Sequence, residues 1–377
     1  MGSAVAHRCL AALATGAALS VLVTLPALAA TPAPAPVAPA AAPPAPAAPS
    51  CTDVVAAMSP RAKLAQRLVV GVDAGDVAGT VETVKASQVG GIFLGGNATA
   101  LLKNQALRSV QAVSRVPLSV AVDDEGGRVQ RIDALDGPLP SARAMAKQTP
   151  EAVRALAEKR GRQLAARGVT VDYAPDADVS NQPANSVIGD RSFSNDPAVV
   201  ATYAAAFAEG LRAAGITPVF KHFPGHGHSS GDSHKGEVST PPLAQLRTAD
   251  LRPYETLPQA GDQVMVGHLD VPGLTDGLPT SLTPAAYALL RGDYRFDGLV
   301  VTDDLGAMKA ITDRFSLPKA VTAALAAGAD QALWSAGGDV EPVLTALEAA
   351  LTGGTLDAAA NDRAVARVLS SKGACAR

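Results

Sequence analysis

Eight short runs rich in β-branched residues alternate with alanine-rich helical patterns along most of the chain. Strands and helices that alternate in this way form parallel sheets, and eight repeats suit a single (β/α)8 TIM-type barrel, an α/β fold with one domain. A doubly wound open sheet is the alternative, because the number of strands alone does not exclude it. The predicted strands are 68–72, 91–94, 118–122, 170–173, 217–220, 263–266, 299–301 and 331–333.

Several of the helical patterns are followed directly by a glycine. Gly168, Gly215 and Gly328 stand where a helix would turn back towards the next strand, and a glycine there favours a left-handed cap at the end of the helix. The clearest helical patterns are 77–87, 98–114, 150–167, 196–214 and 317–327.

The first fifty residues differ in composition from the rest of the chain. Residues 9–28 are almost entirely apolar and end in Ala27-Leu28-Ala29, the small-x-small pattern of a cleavage site, so residues 1–30 are predicted to be a signal peptide for export. Residues 31–50 contain eight prolines and nine alanines and are predicted to be an extended linker. The barrel domain then covers residues 51–377. An apolar stretch left uncleaved as a membrane anchor is the alternative.

Two cysteines flank the predicted domain. Once Cys9 has been removed with the signal peptide, Cys51 and Cys375 remain, and an exported chain meets an oxidising compartment. We therefore expect a disulfide that joins the two ends, with its Cα atoms within about 7 Å of each other. Two free thiols are the alternative.

Charge restricts the partners. The chain has 32 basic and 35 acidic residues, and its basic residues form no run and do not alternate with aromatic residues. This pattern argues against nucleic acid or anionic lipid as the main partner. No partner protein is implied, and a monomer is the expectation.

Polar clusters come just after the predicted strands, at positions that a parallel barrel brings to one face. Active sites of such barrels lie at that face, so the chain is predicted to be an enzyme. The densest cluster, residues 221–234, holds four of the six histidines. The clusters are Asp123-Asp124-Glu125, Asp176 with Asp178, Lys221-His222, His268 and Asp303-Asp304.

Four sequence blocks resemble bacterial β-N-acetylhexosaminidases of glycoside hydrolase family 3, in the single-domain form. The resemblance implies a barrel, no cofactor, and hydrolysis of terminal β-linked N-acetylglucosamine from peptidoglycan fragments. The blocks are Asp123 to Arg131 (DDEGGRVQR), Ile188 to Phe193 (IGDRSF), Lys221 to Gly227 with Asp232-Ser233-His234 (KHFPGHG and DSH), and Gly298 to Leu305 (GLVVTDDL).

The same resemblance assigns the roles of individual residues. Asp303 is implied to be the nucleophile, His234 the general acid/base and Asp232 the residue that orients His234. Retaining hydrolysis needs these two functions, a carboxylate that attacks the sugar and a group that gives and takes a proton, and a histidine suits the second near neutral pH. The residues implied to hold the sugar hydroxyls are Asp123, Arg131, Arg191, Lys221 and His222.

Other polar residues near these blocks have structural or open interpretations. Asp304 is expected to cap a helix N-terminus, and His226 to be a hydrogen-bond partner within its loop. His268 could form a wall of the site or be a satisfied residue at the barrel end. Trp334 could stack on a sugar or be buried at the rim. Asp124 stands where the family commonly has Gln, and we expect an effect on hydrogen bonding at the rim of the sugar.

Two other functions remain open. The first is a zinc-dependent hydrolase, because His226, His228, Asp232 and His234 are spaced like metal ligands. The family resemblance instead implies no metal. His228 stands where the family often has an acid and adds a possible positive charge. The second is an exported wall-binding protein without catalysis, which the presence of Asp232, His234 and Asp303 argues against.

Overall fold

Eight parallel strands close into a barrel in the computed structural model, which describes residues 49–376. The strands are β1 (Leu68–Val72), β2 (Gly91–Leu94), β3 (Ser119–Val122), β4 (Val171–Asp172), β5 (Thr217–Phe223), β6 (Gln263–Val266), β7 (Leu299–Asp304) and β8 (Gln331–Trp334). Each strand pairs with the next in the chain, and β8 closes the barrel by pairing with β1 through the register Val69↔Leu333. The predicted (β/α)8 barrel is confirmed, and the open sheet is wrong.

Strands β5, β7 and β8 extend beyond their predicted ends, and the extensions of β5 and β7 carry polar residues into the barrel rim. β5 continues to Phe223, and its register with β6 shifts between Phe220 and Phe223. β7 continues to Asp304, which pairs with Leu333 of β8. The polar pairs that follow the apolar runs are therefore fixed within strands instead of lying in loops.

Fourteen α-helices within residues 49–376 surround the barrel or cover its ends. They are α1 (Cys51–Ala57), α2 (Pro60–Gln66), α3 (Val77–Ser87), α4 (Leu107–Ala112), α5 (Asp133–Asp136), α6 (Ala142–Met145), α7 (Pro150–Ala166), α8 (Pro197–Ala213), α9 (Leu243–Leu246), α10 (Pro284–Gly292), α11 (Lys309–Thr312), α12 (Leu317–Ala327), α13 (Glu341–Thr352) and α14 (Ala358–Ser371).

The helix predicted over 98–114 is mostly wrong. Only α4 is helical there, because Asn104 and Gln105 have left-handed φ angles of 51° and 56°, which interrupt a right-handed helix. The predicted glycine caps are confirmed. Gly168 and Gly328 have φ angles of 90° and 132° just after the ends of α7 and α12.

Two apolar layers follow from the alternation of side chains along the strands. Residues such as Val69 and Val219 point into the barrel, and their neighbours Val70 and Phe220 pack against the surrounding helices. Inside the barrel, Phe93 stacks on Tyr173 with 5.7 Å between ring centroids. The interior is a packed core that supports the mouth of the barrel from below.

The two ends of the described chain are joined. The sulfur atoms of Cys51 and Cys375 are bonded, and the Cα atoms are 4.9 Å apart. The backbone amide of Cys51 also donates to the carbonyl of Ala376 at 2.9 Å, and the disulfide packs against Val365 and Leu369. The predicted disulfide is confirmed, and the alternative of free thiols is wrong.

The predicted signal peptide lies outside the described residues, as does the linker up to residue 48. From residue 49 to residue 376, no helix is both long enough and apolar enough to cross a membrane.

Candidate active site

The carboxyl ends of the strands surround a cleft of about 970 Å³. Its apolar part includes Phe93, Tyr173, Met265 and Leu333, which continue the barrel core upward. All eight side chains that the sequence assigned to catalysis or sugar binding line this one cleft. They are Asp123, Arg131, Arg191, Lys221, His222, Asp232, His234 and Asp303.

Asp303 is held as a carboxylate near the end of β7. Burial raises the pKa of Asp303, but the imidazoles of His222 and His268 and the backbone amide of Asp304 outweigh this effect and lower the pKa to about 2. The amide of Asp304 donates to Asp303 Oδ1 at 2.8 Å. A carboxylate that stays ionised at neutral pH can attack an electrophilic carbon.

His234 and Asp232 form a pair on the loop after β5. Their Nδ1 and Oδ1 atoms are 2.8 Å apart, and the backbone amide of His234 donates to the same oxygen at 3.1 Å. Burial raises the pKa of Asp232, but these hydrogen bonds lower it overall. The bond at Nδ1 leaves Nε2 of His234 free on a side chain that is 61% exposed. This free nitrogen is available for proton transfer in the cleft.

Lys221 is a buried cation between two carboxylates. Its Nζ lies 2.8 Å from Asp123 Oδ1 and 2.6 Å from Glu125 Oε1. Burial lowers the pKa of Lys221, but Asp123 and Glu125 raise it above its ordinary value. The ion pairs thereby compensate for burying the charge. Arg131 lies 3.5 Å from the other oxygen of Asp123 and extends this network towards the rim.

Arg191 joins the network through Glu125. The guanidinium donates to both carboxylate oxygens of Glu125, at 2.8 and 2.9 Å, in the bidentate geometry that fixes an arginine in one orientation. Nη2 of Arg191 is also 3.7 Å from Asp176 and 3.4 Å from Nε2 of His222. Burial raises the pKa of Glu125, but Arg191 and Lys221 lower it well below its ordinary value.

His222 is oriented from behind by a buried aspartate. Nδ1 of His222 is 2.7 Å from Asp178 Oδ2. Burial raises the pKa of Asp178, but His222 and His226 lower it to about 2. Asp178 is therefore a carboxylate that accepts a hydrogen bond from Nδ1 of His222. With Nδ1 directed at Asp178, Nε2 of His222 faces Arg191 and the cleft.

Three residues of this framework were not assigned a role from the sequence. Glu125, Asp176 and Asp178 are buried acids that position Arg191, Lys221 and His222. Their position directly after predicted strands was the available signal, but a sequence does not show which side chain turns towards the cleft.

Asp124 does not reach the rim of the sugar site, contrary to expectation. Its side chain is fully buried and points to Arg160 of α7, with 3.4 Å between Oδ1 and Nε. Its Oδ2 accepts the backbone amides of Arg131 and Ile132 at 2.8 and 3.1 Å. Asp124 therefore fixes the turn that carries Arg131 instead of contacting a ligand.

Asp304, His268 and Trp334 have structural roles. Asp304 was expected to cap a helix, but its Oδ1 accepts amides of the turn after β7, including that of Gly306 at 2.8 Å. His268 is a satisfied buried residue, bonded to Ser281 Oγ at 2.7 Å and the carbonyl of Asp304 at 2.9 Å. Trp334 is fully buried with its Nε1 bonded to a backbone carbonyl, so it does not stack on a sugar.

The proposed zinc ligands are not brought together. His228 pairs with Asp250 at 2.9 Å, and His234 pairs with Asp232. The hydrogen bond to Asp250 raises the pKa of His228, which is the direction that favours a positive charge on this ring. Among the described residues, the group of three acids or histidines whose potential ligand atoms all lie within 4.8 Å of one another is Asp176, Asp178 and His222, and it contains none of the proposed ligands. The four residues proposed as zinc ligands therefore do not form a metal site in this structure, which argues against a zinc hydrolase.

Comparisons with known proteins show which family and which solved structures the chain resembles. The model of the glycosyl hydrolase family 3 N terminal domain matches residues 60–371. Beta-hexosaminidase LpqI of Mycobacterium tuberculosis is 51% identical over 336 residues, 86% of each chain. The solved structure of M. tuberculosis LpqI superposes with a TM-score of 0.84 at 50% identity, covering 87% of this chain and 97% of that one. A beta-N-acetylhexosaminidase from Beutenbergia cavernae has a TM-score of 0.77 at 31% identity, covering 84% and 99%.

Proposed function

The chain belongs to glycosyl hydrolase family 3, and we propose that within this family it is a retaining, exo-acting β-N-acetylglucosaminidase. As a member it is a glycoside hydrolase. Hexosaminidase activity is supported by the names of its relatives, among them LpqI at 51% identity. The observation that carries the proposed mechanism is the presence in one cleft of an ionised Asp303 and the hydrogen-bonded pair His234–Asp232.

The first step of the proposed reaction forms a covalent intermediate. A carboxylate oxygen of Asp303 attacks the anomeric carbon, and the glycosidic carbon–oxygen bond breaks. Nε2 of protonated His234 gives its proton to the departing oxygen, so the leaving group departs as a neutral alcohol. Asp232 stabilises the positive charge of the imidazolium before the transfer and holds Nδ1 in place.

The second step restores the enzyme. The now neutral His234 takes a proton from water as the water oxygen attacks the anomeric carbon, and the ester bond to Asp303 breaks. The sugar is released with its original configuration, because two inversions at the same carbon cancel. Asp303 is again a carboxylate and His234 is again protonated.

The sugar would be held by the charged framework that lines the cleft. Asp123, Arg131, Arg191, Lys221 and His222 offer charge-assisted hydrogen bonds whose geometry is fixed by buried partners. Fixed donors and acceptors need little reorganisation when charge develops at the anomeric carbon. We infer that this end accommodates one terminal sugar, in keeping with exo action.

The natural substrate and location are also part of the proposal. We propose that terminal N-acetylglucosamine is removed from peptidoglycan fragments by an exported monomer. The family resemblance supports the substrate. The apolar, proline-flanked start of the sequence and the disulfide between Cys51 and Cys375 support export to an oxidising compartment.

Trapping the intermediate tests the nucleophile. A fluorinated N-acetylglucosaminyl inhibitor should form an ester with the protein, and peptide mass mapping should place it on Asp303. Asp303→Ala should lose turnover of aryl β-N-acetylglucosaminides and of a purified muropeptide. Proton NMR should show the β-anomer as first product, without a requirement for phosphate. A label on another residue, or an α-anomer as first product, contradicts the proposal. Sugar binding without any turnover by the wild type would instead indicate a wall-binding protein.

The acid/base role has its own test. His234→Ala should lose about 10²- to 10⁴-fold in kcat/KM on alkyl glycosides, whose leaving oxygen needs a proton. The same variant should form the glycosyl-enzyme at nearly the wild-type rate from a dinitrophenyl glycoside, whose leaving group departs as an anion. Equal losses on the two substrates would exclude His234 as the acid.

A further inference from the structure

One residue between the two members of the acid/base pair is buried while its neighbours face the cleft. Ser233 is 1% exposed, whereas the side chains of Asp232 and His234 are 24% and 61% exposed. A buried serine in a polar surface loop must find hydrogen-bond partners inside the protein. Its contacts therefore show what holds this part of the loop.

Ser233 is held on two sides. Its hydroxyl is 3.2 Å from Nε2 of His226, which lies just beyond the end of β5. Its backbone carbonyl accepts the amide of Ala310 at 3.1 Å, in α11, the first helix after the strand that carries Asp303. The peptide between Asp232 and His234 is thus connected both to the β5 side and to the β7 side of the barrel mouth.

His226 is itself rigidly placed. Its backbone amide donates to Asp178 at 2.6 Å, and its Nδ1 is 2.8 Å from the hydroxyl of Ser229. Burial lowers the pKa of His226 to about 4, so the ring is neutral at working pH, with one nitrogen donating and the other accepting. Both neighbours, Ser229 and Ser233, are hydroxyls, which can donate or accept, so either tautomer is satisfied.

We propose that Ser233 and His226 are positioning residues, which hold the acid/base loop so that His234 faces the scissile bond. This inference depends on the proposed role of His234. Proton transfer requires a close and well-aligned hydrogen bond to the leaving oxygen, whereas attack by Asp303 on a glycoside with a good leaving group needs no proton from this loop. Loss of the bond between Ser233 and His226 therefore lowers the rate where a proton must be delivered and spares reactions that need none.

Ser233→Ala tests this directly. We expect kcat/KM to fall about tenfold on an alkyl glycoside, the effect of losing one buried neutral hydrogen bond, and less than about twofold in glycosylation by a dinitrophenyl glycoside. Ser230→Ala is the matched control. It removes a hydroxyl from the same loop, but its bond is to the backbone amide of Ser239, at 3.0 Å. Its ratio of the two rates should remain near that of the wild type.

Two substitutions of His226 distinguish the roles of its two ring nitrogens. The amide of His226→Gln reaches the position of Nε2 and can still bond to Ser233, whereas the shorter His226→Asn reaches only the position of Nδ1. We expect His226→Asn to change the ratio of the rates on the alkyl and dinitrophenyl glycosides as Ser233→Ala does. We expect His226→Gln to keep this ratio close to that of the wild type. This pattern distinguishes positioning from a general loss of packing, because both variants remove the ring.

The outcomes also separate this inference from the proposed function. If the loss of rate caused by His234→Ala depends on the leaving group and the loss caused by Ser233→Ala does not, the positioning role is wrong and the acid/base role stands. If Ser230→Ala shifts the ratio as much as Ser233→Ala does, general loosening of the loop explains the effect and the inference is also wrong. If His234→Ala itself shows no dependence on the leaving group, the proposed function fails first.

Discussion

Glu125→Gln isolates the charge at the centre of the buried ionic framework. The substitution keeps the shape of the side chain but removes the negative charge that faces Arg191 at 2.8 and 2.9 Å and Lys221 at 2.6 Å. Lys221 keeps its contact with Asp123 at 2.8 Å. Arg191 loses its bidentate partner and keeps the more distant Asp176, at 3.7 Å, so Arg191 is the cation left poorly paired.

The expected loss of stability follows from these contacts. Removing one member of a buried ion pair costs about 3–5 kcal/mol. Because Lys221 retains a carboxylate, we expect the lower end, about 3 kcal/mol. Unfolding entropy is about 2.1 cal/mol/K per residue, so the roughly 330 described residues give about 0.7 kcal/mol/K. The melting temperature should therefore fall by about 4 °C at pH 7.

The effect should depend on pH in a defined direction. The pKa of Glu125 is lower in the folded protein than in the unfolded chain, where it is about 4.3. Its contribution is therefore complete above about pH 4.3 and declines as the pH falls towards the folded value, by about 1.4 kcal/mol per pH unit. Between pH 7 and pH 3, the stability difference between wild type and Glu125→Gln should shrink by about 1.8 kcal/mol.

Calorimetric unfolding at a fixed scan rate, at pH 7 and pH 3, measures both quantities. Glu341→Gln is the control, because Glu341 pairs with Arg61 on the surface, with 60% of its side chain exposed, and should shift the melting temperature by less than about 1.5 °C. The reasoning would be refuted if Glu125→Gln shifts the melting temperature by less than about 1.5 °C at pH 7. It would also be refuted if the stability difference between wild type and Glu125→Gln is larger at pH 3 than at pH 7.

Further predictions concern the termini, the acid/base loop and metals. The double variant Cys51→Ser, Cys375→Ser removes a link across 324 residues and should lower the free energy of unfolding by about 2–5 kcal/mol, with turnover at 25 °C retained, because neither cysteine lines the cleft. In Gly231→Ala the new Cβ meets only Val238, at 3.9 Å, so thermal unfolding should show a gain of about 0.5 kcal/mol and kinetics a lower kcat if the loop must move. Gly227→Ala would place its Cβ 1.9 Å from a backbone oxygen and should destabilise. Exhaustive chelation should leave activity intact, and loss restored by zinc would contradict the metal-free mechanism.

Much of the fold could be predicted because each strand has a local signal. The apolar runs are short, β-branched and separated by helical patterns, and the strands formed where those runs stand. The failures came where local patterns were overridden. The helix predicted over 98–114 is interrupted at Asn104 and Gln105, which adopt left-handed conformations that a periodic pattern does not reveal. The ends of β5 and β7 extend because pairing with β6 and β8 continues past the apolar residues.

For the candidate site, the sequence predicts which residues belong to it but not how their side chains are directed. Its members could be found from position and resemblance, because parallel strands bring their carboxyl ends to one mouth. The direction of each side chain could not. Asp123, Asp124 and Glu125 are consecutive, yet Asp123 and Glu125 pair with Lys221 in the cleft while Asp124 faces Arg160 behind the sheet. Alternation along an extended segment explains the outcome, but the register that decides it is set by the tertiary fold.

The charged framework and the acid/base loop differ in burial, and the proposed mechanism uses that difference. Arg191 and Lys221 are fixed by the buried Glu125, so the groups offered to the sugar hold their places before substrate arrives. His234 lies on an exposed loop beside Lys235, and the buried anchor between Asp232 and His234 is Ser233. A buried, ion-paired sugar site with an exposed proton donor, as proposed, suits substrates that share one terminal sugar and differ in the leaving group. Changes to the framework should therefore alter every substrate alike, whereas changes to the anchor should alter substrates according to the basicity of the leaving oxygen.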